Sequence, residues 1–277
     1  MQKIKAVFII IRPLNILITF ISVIVGGIIA LKSNLIPQLL LLAAISESLT
    51  FSAGNIINDI FDLEIDKINR PDRVLPKGDI TKNLAGIIYL LFVLLAIYIS
   101  YNINPLVFKI ILITNIILFL YSFIIKKMIL IDNVIVALIV GSAFVVASAS
   151  VGNINAGYIP FVFALLINFA REIVKDMEDI KGDSASGFKS FPSVFGFANS
   201  KIMILISTVL LIIITFYPYI FKIYGSFYFI IVLIVVNPFL VFILIKLFQD
   251  DSIDNLKRVS KYLKIAMIFG LIAIYLG

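Results

Sequence analysis

The chain has 277 residues, of which 62% are hydrophobic and 14% are charged, and its formal net charge is +7. A soluble domain has about a quarter of its residues charged, so this composition excludes an ordinary soluble protein and indicates a polytopic membrane protein. Cysteine and histidine are both absent, which excludes disulfides, thiolate metal sites and imidazole as a ligand or base.

Nine apolar stretches are each long enough to cross a bilayer as a helix of about 20 residues. They are expected near residues 14–31, 38–58, 83–101, 106–125, 131–150, 157–174, 200–220, 226–245 and 260–276. We therefore predict an all-α polytopic membrane protein with nine transmembrane helices. No separate soluble domain is apparent, so we expect one transmembrane domain over residues 1–277.

Basic residues are distributed unevenly between the two sides of these spans. Of the 23 Lys and Arg residues, 20 fall in the N-terminal segment and the even-numbered loops, and only Lys32, Lys109 and Lys222 fall on the other side. The positive-inside rule then predicts a cytoplasmic amino terminus and an external carboxyl terminus in a cell membrane. Because topology explains the basic residues, no nucleic-acid partner is expected.

Two acidic motifs with the same spacing follow spans two and six, both on the predicted cytoplasmic side. Their shared pattern is D-x-x-D-x-x-x-D, formed by Asp59, Asp62 and Asp66 in the first motif and by Asp176, Asp179 and Asp183 in the second. The second motif lies 117 residues after the first. This common offset suggests an internal duplication of a four-span unit, with spans one to four matching spans five to eight.

At about 100° per residue, each motif forms a stripe of oxygen ligands along one helix face. For the first motif this assumes that the helix of span two continues through it, in which case Glu64 points to the opposite side. The first stripe comprises Asn55, Asn58, Asp59, Asp62 and Asp66. The second stripe comprises Glu172, Asp176, Asp179 and Asp183, whereas Glu178 points away.

Carboxylates at this spacing near the end of an apolar helix are unfavourable without a counter-charge. Like charges four residues apart repel by a few tenths of a kcal/mol, and near a helix carboxyl end they also oppose the macrodipole. Mg²⁺ prefers hard oxygen ligands and bridges a few carboxylates to substrate phosphates. The stripes therefore predict Mg²⁺ holding a phosphorylated substrate, and a solvated acidic loop is the alternative.

Basic and polar side chains accompany the motifs and are suited to binding phosphate. Pro71, Pro76 and Gly78 predict a shaped turn instead of a helix after the first motif. Ordinary positive-inside charge is the alternative explanation, with an interfacial tyrosine and a snorkelling lysine at the end of span four. The candidate substrate-binding residues are Arg12, Asn15, Asn55, Asn58, Arg70, Arg73, Lys77, Tyr121, Lys126 and Lys189.

One acidic residue lies inside a span. Glu47 precedes Asp59 by 12 residues, which places it roughly 18 Å deeper in the membrane at 1.5 Å per residue. An acid at that depth is a functional candidate. Alternatively, it is protonated and hydrogen-bonded to a hydroxyl group on a neighbouring helix.

The two motifs, with Asn58 before the first and Arg70-Pro71 after it, resemble those of the UbiA superfamily of intramembrane prenyltransferases. Within that superfamily, residues 68–78 and 171–183 look most like archaeal digeranylgeranylglyceryl phosphate synthases. Lys77 departs from that pattern, since Ser is usual there. The resemblance implies a helical barrel that opens laterally to lipid, with a cytoplasmic cap over the acidic motifs.

The same resemblance implies a set of roles. Asp62, Asp66, Asp176 and Asp179 would be catalytic, and Arg70, Lys126 and Lys189 would neutralise the leaving diphosphate. The implied Mg²⁺ ligands are Asn58, Asp59, Asp62, Asp66, Asp176, Asp179 and Asp183.

The implied reaction moves a geranylgeranyl group from its diphosphate to the hydroxyl of geranylgeranylglyceryl phosphate. It forms the second ether bond of an archaeal membrane lipid. The expected partners are thus an isoprenyl diphosphate donor, a lipid-phosphate acceptor and membrane lipids. The same chemistry on an aromatic quinone precursor or a tetrapyrrole is an alternative. A cation-coupled secondary transporter is another, although its site should lie near mid-membrane on broken helices.

Overall fold

The computed structural model describes residues 2–33, 36–185 and 189–277, without the side chains of residues 2–4, 69, 127 and 181–185. The described part of the chain is almost entirely helical and contains no strand. It divides into two compact units. Unit 1 comprises Met1–Lys126 and Ala143–Gly157, and unit 2 comprises Lys127–Ser142 and Tyr158–Gly277.

Within the described ranges, nine helical segments are long and apolar enough to cross a membrane, as predicted. In chain order the helices are α1 Gln2–Ile10, α2 Pro13–Leu31, α3 Gln38–Phe61, α4 Leu63–Asn69, α5 Lys82–Tyr101, α6 Pro105–Phe123, α7 Ile131–Ser150, α8 Tyr158–Ala185, α9 Phe191–Ile214, α10 Tyr217–Ile220, α11 Ser226–Ile231, α12 Asn237–Gln249 and α13 Ile253–Leu276. Short 3₁₀ turns lie at Ile125–Lys127 and Ile154–Gly157, and a π-helical turn, Val232–Val236, joins α11 to α12 within span eight.

Three span boundaries differ from the sequence prediction by more than five residues, and one of them is the start of span seven at Phe191, before the predicted start at 200. The helix of span six continues to Ala185, beyond the predicted end at 174, and the last helix begins at Ile253, before the predicted start at 260. Both extensions carry charged residues, so a hydropathy criterion ends the span although backbone hydrogen bonding continues. The short helix α1 was not predicted because nine residues cannot cross a membrane.

The assumption that one helix runs through the first acidic motif was wrong. Helix α3 ends at Phe61 and α4 begins at Leu63, with Asp62 between them at φ −85° and ψ 1°. The break is small, because the Asp62 N–H donates to the Asn58 carbonyl at 2.9 Å and the Asp66 N–H donates to the Asp62 carbonyl at 2.8 Å. These bonds preserve the helical phase, so residues of the motif keep a common face.

Helix α3 is the central element of unit 1 and packs against α2, α5 and α6. Small residues at the contacts let the backbones approach closely, as is common between membrane helices. Buried alanines of the core include Ala43, Ala44, Ala96, Ala143 and Ala147.

A second, smaller apolar cluster in unit 1 joins α1 and the end of α3 to the turn after α4. Its buried members are Ala6, Ile10, Ile56, Ile60, Val74, Leu75, Ile80 and Ala85. We call it the rim cluster. Asp59 and Arg73 directly precede two of these members, Ile60 and Val74, so packing of the rim cluster helps to position their side chains.

Unit 2 is built around α8, which packs against α9 and α13. Buried polar side chains bridge its helices. Ser207 donates to the Leu166 carbonyl at 2.8 Å, and Tyr228 donates to the Thr215 carbonyl at 2.7 Å. The Thr215 hydroxyl also pairs with the Asn237 amide. Such bonds satisfy polar groups that would otherwise face hydrocarbon.

Candidate functional site

The three aspartates of the first motif are buried on one side of α3 and α4. Asp59, Asp62 and Asp66 are 6%, 7% and 5% exposed. Glu64, by contrast, has a side chain that is 78% exposed and forms an ion pair with Lys67 on the same helix. Burial therefore separates the stripe from Glu64 as the helical spacing predicted.

Two arginines converge on this stripe. Arg12 Nη2 lies 2.6 Å from Asp59 Oδ1, and Arg73 Nη1 lies 3.2 Å from the same oxygen. Arg73 Nη1 also lies 2.5 Å from Asp66 Oδ2. Two residues predicted to bind substrate phosphate thus neutralise two of the predicted metal ligands.

Local backbone geometry positions Arg12 and Arg73 beside the aspartates. Arg12 joins α1 to α2 in the left-handed region, at φ 56° and ψ 69°, a conformation that costs a non-glycine residue roughly 1 kcal/mol. Asn55 on α3 holds this joint, because its Nδ2 donates to the Ile11 carbonyl at 3.1 Å. Arg73 lies in the predicted turn, where the following residue, Val74, is anchored in the rim cluster.

Asp62 has a different set of partners. Asn58 Nδ2 donates to Asp62 Oδ2 at 2.8 Å, and Lys126, in the 3₁₀ turn after α6, forms an ion pair with the same oxygen. The Oδ1 atom of Asn58 is buried and has no hydrogen-bond partner within the described residues. The structure therefore brings Asn58, Asp62 and Lys126 together.

Asp66 shows the electrostatic cost of this arrangement. Burial raises the pKa of its carboxyl above the ordinary value, and the neighbouring Asp59 and Asp62 act in the same direction. Arg73 opposes the shift through its charge and its hydrogen bond. A further cation at this cluster would favour the ionised form of Asp66.

The second motif lies on the last turns of α8 in unit 2. Asp176 is partly buried and accepts a 2.8 Å hydrogen bond from Asn133 Nδ2, on the first turn of α7. Asp132, next to Asn133, is buried and lies within electrostatic range of Asp176. Asp179 is partly buried, and the side chain of Asp183 lies outside the described part of the chain.

Two glutamates of this region differ from the expected pattern. Glu172 is buried but is neutralised on its own helix, by Arg171 at 2.9 Å and by Lys175 at 2.5 Å. Glu178, which was expected to point away from the stripe, is partly buried like Asp179. Burial therefore does not separate ligand and non-ligand faces in unit 2 as it does in unit 1.

The oxygen atoms of both clusters fit the ligand preference of Mg²⁺. Mg²⁺ is bound through one or two protein carboxylates together with water and phosphate oxygens, instead of by a complete protein cage. Consistent with this, no group of three or more acidic side chains in the described ranges converges as a metal cage. Each cluster instead has aspartates beside a buried amide oxygen that lacks a hydrogen-bond partner among described residues, Asn58 Oδ1 and Asn133 Oδ1.

The remaining predicted substrate-binding residues lie at varying distances from these contacts. Asn15, in the first turn of α2, and Arg70, at the end of α4, are partly buried, as is Tyr121 on α6. Lys77 and Lys189 are exposed. All the predicted substrate-binding residues except Lys189 belong to unit 1. Glu47 is fully buried within α3.

Sequence reasoning missed Asp132 and Asn133. Both lie at the start of span five, where they form the only polar pair between residues 128 and 141. An acid in the first turn of a helix is ordinarily explained by the macrodipole, and the 43-residue separation from Asp176 hides the contact. Asn133 was the available signal of a polar contact at this position, because the macrodipole does not explain an uncharged asparagine at the start of a helix.

The chain is similar to known proteins over nearly its whole length. The profile of the UbiA prenyltransferase family matches residues 19–268. A Methanococcus aeolicus protein named digeranylgeranylglyceryl phosphate synthase is 37% identical over 277 residues, covering 99% of this chain and 98% of the relative.

Solved structures agree with the sequence match. One, described as giving structural and mechanistic insight into digeranylgeranylglyceryl phosphate synthase in membranes, is similar with a TM-score of 0.82 and 34% identity, covering 100% of this chain and 99% of that one. A UbiA homologue from Archaeoglobus fulgidus bound to GPP and Mg²⁺ has a TM-score of 0.67 at 18% identity, covering 97% and 99% of the two chains. The latter similarity concerns the fold.

Proposed function

Because this chain belongs to the UbiA prenyltransferase family, we propose that it is a Mg²⁺-dependent intramembrane prenyltransferase of archaeal lipid synthesis. It moves a geranylgeranyl group from its diphosphate to the hydroxyl of geranylgeranylglyceryl phosphate and forms the second ether bond of the lipid. The observation that carries the choice of substrates is the full-length similarity to digeranylgeranylglyceryl phosphate synthases. An Mg²⁺-bound homologue of the same fold supports the cofactor.

The unit 1 cluster supports binding of the donor diphosphate. Asp62 and Asp66, with Asn58 and Asp59, would hold Mg²⁺ in this unit, and Asp176, Asp179 and Asp183 would hold it in unit 2. When bound, Mg²⁺ neutralises charge that develops on the departing diphosphate. Arg12, Arg73 and Lys126 already lie against these carboxylates. Once the carboxylates have another counter-ion, the three cations can bind phosphate oxygens.

The residue types present in the chain also limit which groups can take the proton of the acceptor hydroxyl. The C1–O bond of the donor breaks, the acceptor hydroxyl forms a bond to C1, and the diphosphate leaves with its electron pair. Since the chain has no histidine, the hydroxyl proton passes to an oxygen base, which is a carboxylate, water or the released diphosphate. Arg70, Tyr121 and Lys189 are proposed to assist substrate binding, as are Asn15, Asn55 and Lys77.

Topology completes the proposal. The protein is a multi-pass membrane protein, and we propose that its amino terminus and both acidic clusters are cytoplasmic and its carboxyl terminus is outside. The uneven distribution of Lys and Arg supports this orientation. We also propose that residues 1–277 act as one prenyltransferase domain that arose by duplication of a four-span unit.

An acceptor panel tests the choice of substrate. Purified protein in detergent would receive labelled geranylgeranyl diphosphate with Mg²⁺ and one of three acceptors: geranylgeranylglyceryl phosphate, geranylgeranylglycerol without phosphate, or 4-hydroxybenzoate. We expect transfer to the glyceryl phosphate at a rate well above that to the other two. Transfer only to 4-hydroxybenzoate would refute the lipid assignment and retain the reaction type. Transfer to none would refute both.

A further inference from the structure

Asn133 meets the unit 2 acidic cluster in a way that the motif alone does not indicate. The residue is 2% exposed, and its Nδ2 donates to Asp176 Oδ2 at 2.8 Å. Its Oδ1 is also buried and has no hydrogen-bond partner within the described part of the chain. A buried acceptor left without a partner has lost its hydrogen bonds to water and gained none in return, so its position at an acidic cluster requires a cause.

Unit 1 contains the same arrangement. Asn58 Nδ2 donates to Asp62 Oδ2 at 2.8 Å, and Asn58 Oδ1 is likewise buried without a partner among described residues. There, however, both residues belong to the α3–α4 segment. The position 117 residues after Asn58 is occupied by Lys175, whose ammonium pairs with Glu172. The second motif therefore lacks its own asparagine, and α7 supplies one from elsewhere in the chain.

A buried asparagine with a structural role looks different in this protein. Asn237, also in unit 2 and 7% exposed, has both Nδ2 and Oδ1 within hydrogen-bond distance of the Thr215 hydroxyl. Asn133 uses only its donor end. Its neighbour Asp132 adds a buried negative charge within range of Asp176. An amide oxygen beside these carboxylates provides the hard oxygen atoms that a divalent cation requires.

We propose that Asn133 is a ligand residue of the Mg²⁺ site in unit 2 and the functional counterpart of Asn58. Its Nδ2 fixes the orientation of Asp176, its Oδ1 provides an uncharged oxygen for the cation, and Asp132 contributes negative charge. The inference rests on the proposed function, because it requires that the second motif binds Mg²⁺. It adds to the site a helix, α7, that carries neither acidic motif.

Direct metal binding tests this proposal without relying on turnover. Mn²⁺ would replace Mg²⁺, and free Mn²⁺ would be measured by electron paramagnetic resonance in titrations of purified protein without substrate. Asn133→Leu keeps the branched shape and the number of heavy atoms of the side chain and removes both polar ends. We expect its Mn²⁺ affinity at one site to fall by about 10- to 100-fold, the usual effect of removing such a partner. Asn237→Leu is the matched control and should lose thermal stability but keep its Mn²⁺ affinity.

A second variant decides the question if Asn133→Leu does not fold. Asn133→Asp replaces the amide with a carboxylate. It therefore keeps an oxygen ligand, loses the Nδ2 donor and adds a negative charge beside Asp132 and Asp176. In EDTA, we expect Asn133→Asp to unfold at a lower temperature than the unsubstituted protein. We expect Mn²⁺ to raise the unfolding temperature of Asn133→Asp by more than it raises that of the unsubstituted protein. An Asn133→Leu protein that binds Mn²⁺ within twofold of the unsubstituted protein would overturn the proposal. The proposal would also be overturned if Mn²⁺ raised the unfolding temperature of Asn133→Asp by no more than it raises that of the unsubstituted protein.

The outcomes separate this inference from the proposed function. A protein that transfers prenyl groups, and in which Asn133→Leu binds Mn²⁺ normally, retains the function and rejects the role of Asn133. A protein that binds no Mn²⁺ and transfers no prenyl group rejects both.

Discussion

Removing Arg73 should show how strongly the unit 1 cluster depends on a counter-charge. Arg73→Met deletes the guanidinium that lies 2.5 Å from Asp66 and 3.2 Å from Asp59, and it keeps much of the apolar stem. Asp59 retains Arg12 at 2.6 Å, so Asp66 loses more. Its carboxyl would then be buried beside two other carboxylates, and its pKa, already raised by burial, would rise further.

The expected loss of stability depends on how far the ion pair between Arg73 and Asp66 is exposed to solvent. Removing one partner of a fully buried ion pair costs about 3–5 kcal/mol, but the Arg73 side chain is 21% exposed, which screens part of the interaction. We therefore expect a loss of about 1–3 kcal/mol, or roughly 3–10 °C in the unfolding temperature. Lys67→Met is the matched control, since it breaks an exposed pair with Glu64, which is worth less than about 0.5 kcal/mol.

The assay is thermal unfolding in detergent and EDTA, followed by far-ultraviolet circular dichroism because the chain has no tryptophan. Protonation removes the buried charge of Asp66. An acid whose folded pKa is raised loses stability as pH rises through that pKa, so the deficit of Arg73→Met should be largest at neutral pH and smaller in acid. Mg²⁺ should also reduce it. A deficit no larger than that of Lys67→Met, or one unaffected by pH and Mg²⁺, would refute this reasoning.

Five further substitutions test other parts of the structure. Asp62→Ala and Asp179→Ala should each abolish prenyl transfer, because both aspartates belong to the ligand stripes. Glu64→Gln should leave transfer nearly unchanged, because Glu64 lies outside them. A fully active Asp62→Ala protein would contradict the assignment. Tyr228→Phe removes the bond to the Thr215 carbonyl and should cost about 1 kcal/mol in thermal unfolding, with unchanged transfer. Ser252→Ala removes the hydroxyl that caps α13 by accepting from the Asn255 N–H and should cost about 1 kcal/mol in thermal unfolding.

The nine spans and the first acidic stripe were predictable because both depend on local sequence. Hydropathy identifies a span, and helical spacing assigns Asp59, Asp62 and Asp66 to one face even though the helix is interrupted at Asp62. The interruption itself left no signal, since its backbone bonds continue the pattern of the helix.

Contacts between distant segments could not be predicted in the same way. Pairing of Arg12 with Asp59 depends on a left-handed residue between α1 and α2, and nothing in an Arg-Pro sequence requires that conformation. The contact between Asn133 and Asp176 joins two helices whose arrangement depends on tertiary packing. Sequence identified the residue types of the site, and packing selected their partners.

Metal-dependent transfer is the most direct test of the central claim. Purified protein would be incubated with labelled geranylgeranyl diphosphate and geranylgeranylglyceryl phosphate, in Mg²⁺ or in EDTA, and the lipid product identified by mass spectrometry. We predict a doubly geranylgeranylated glyceryl phosphate in Mg²⁺, and none in EDTA or with Asp62→Ala. The same product formed at the same rate in EDTA, or no product in Mg²⁺, would contradict the account.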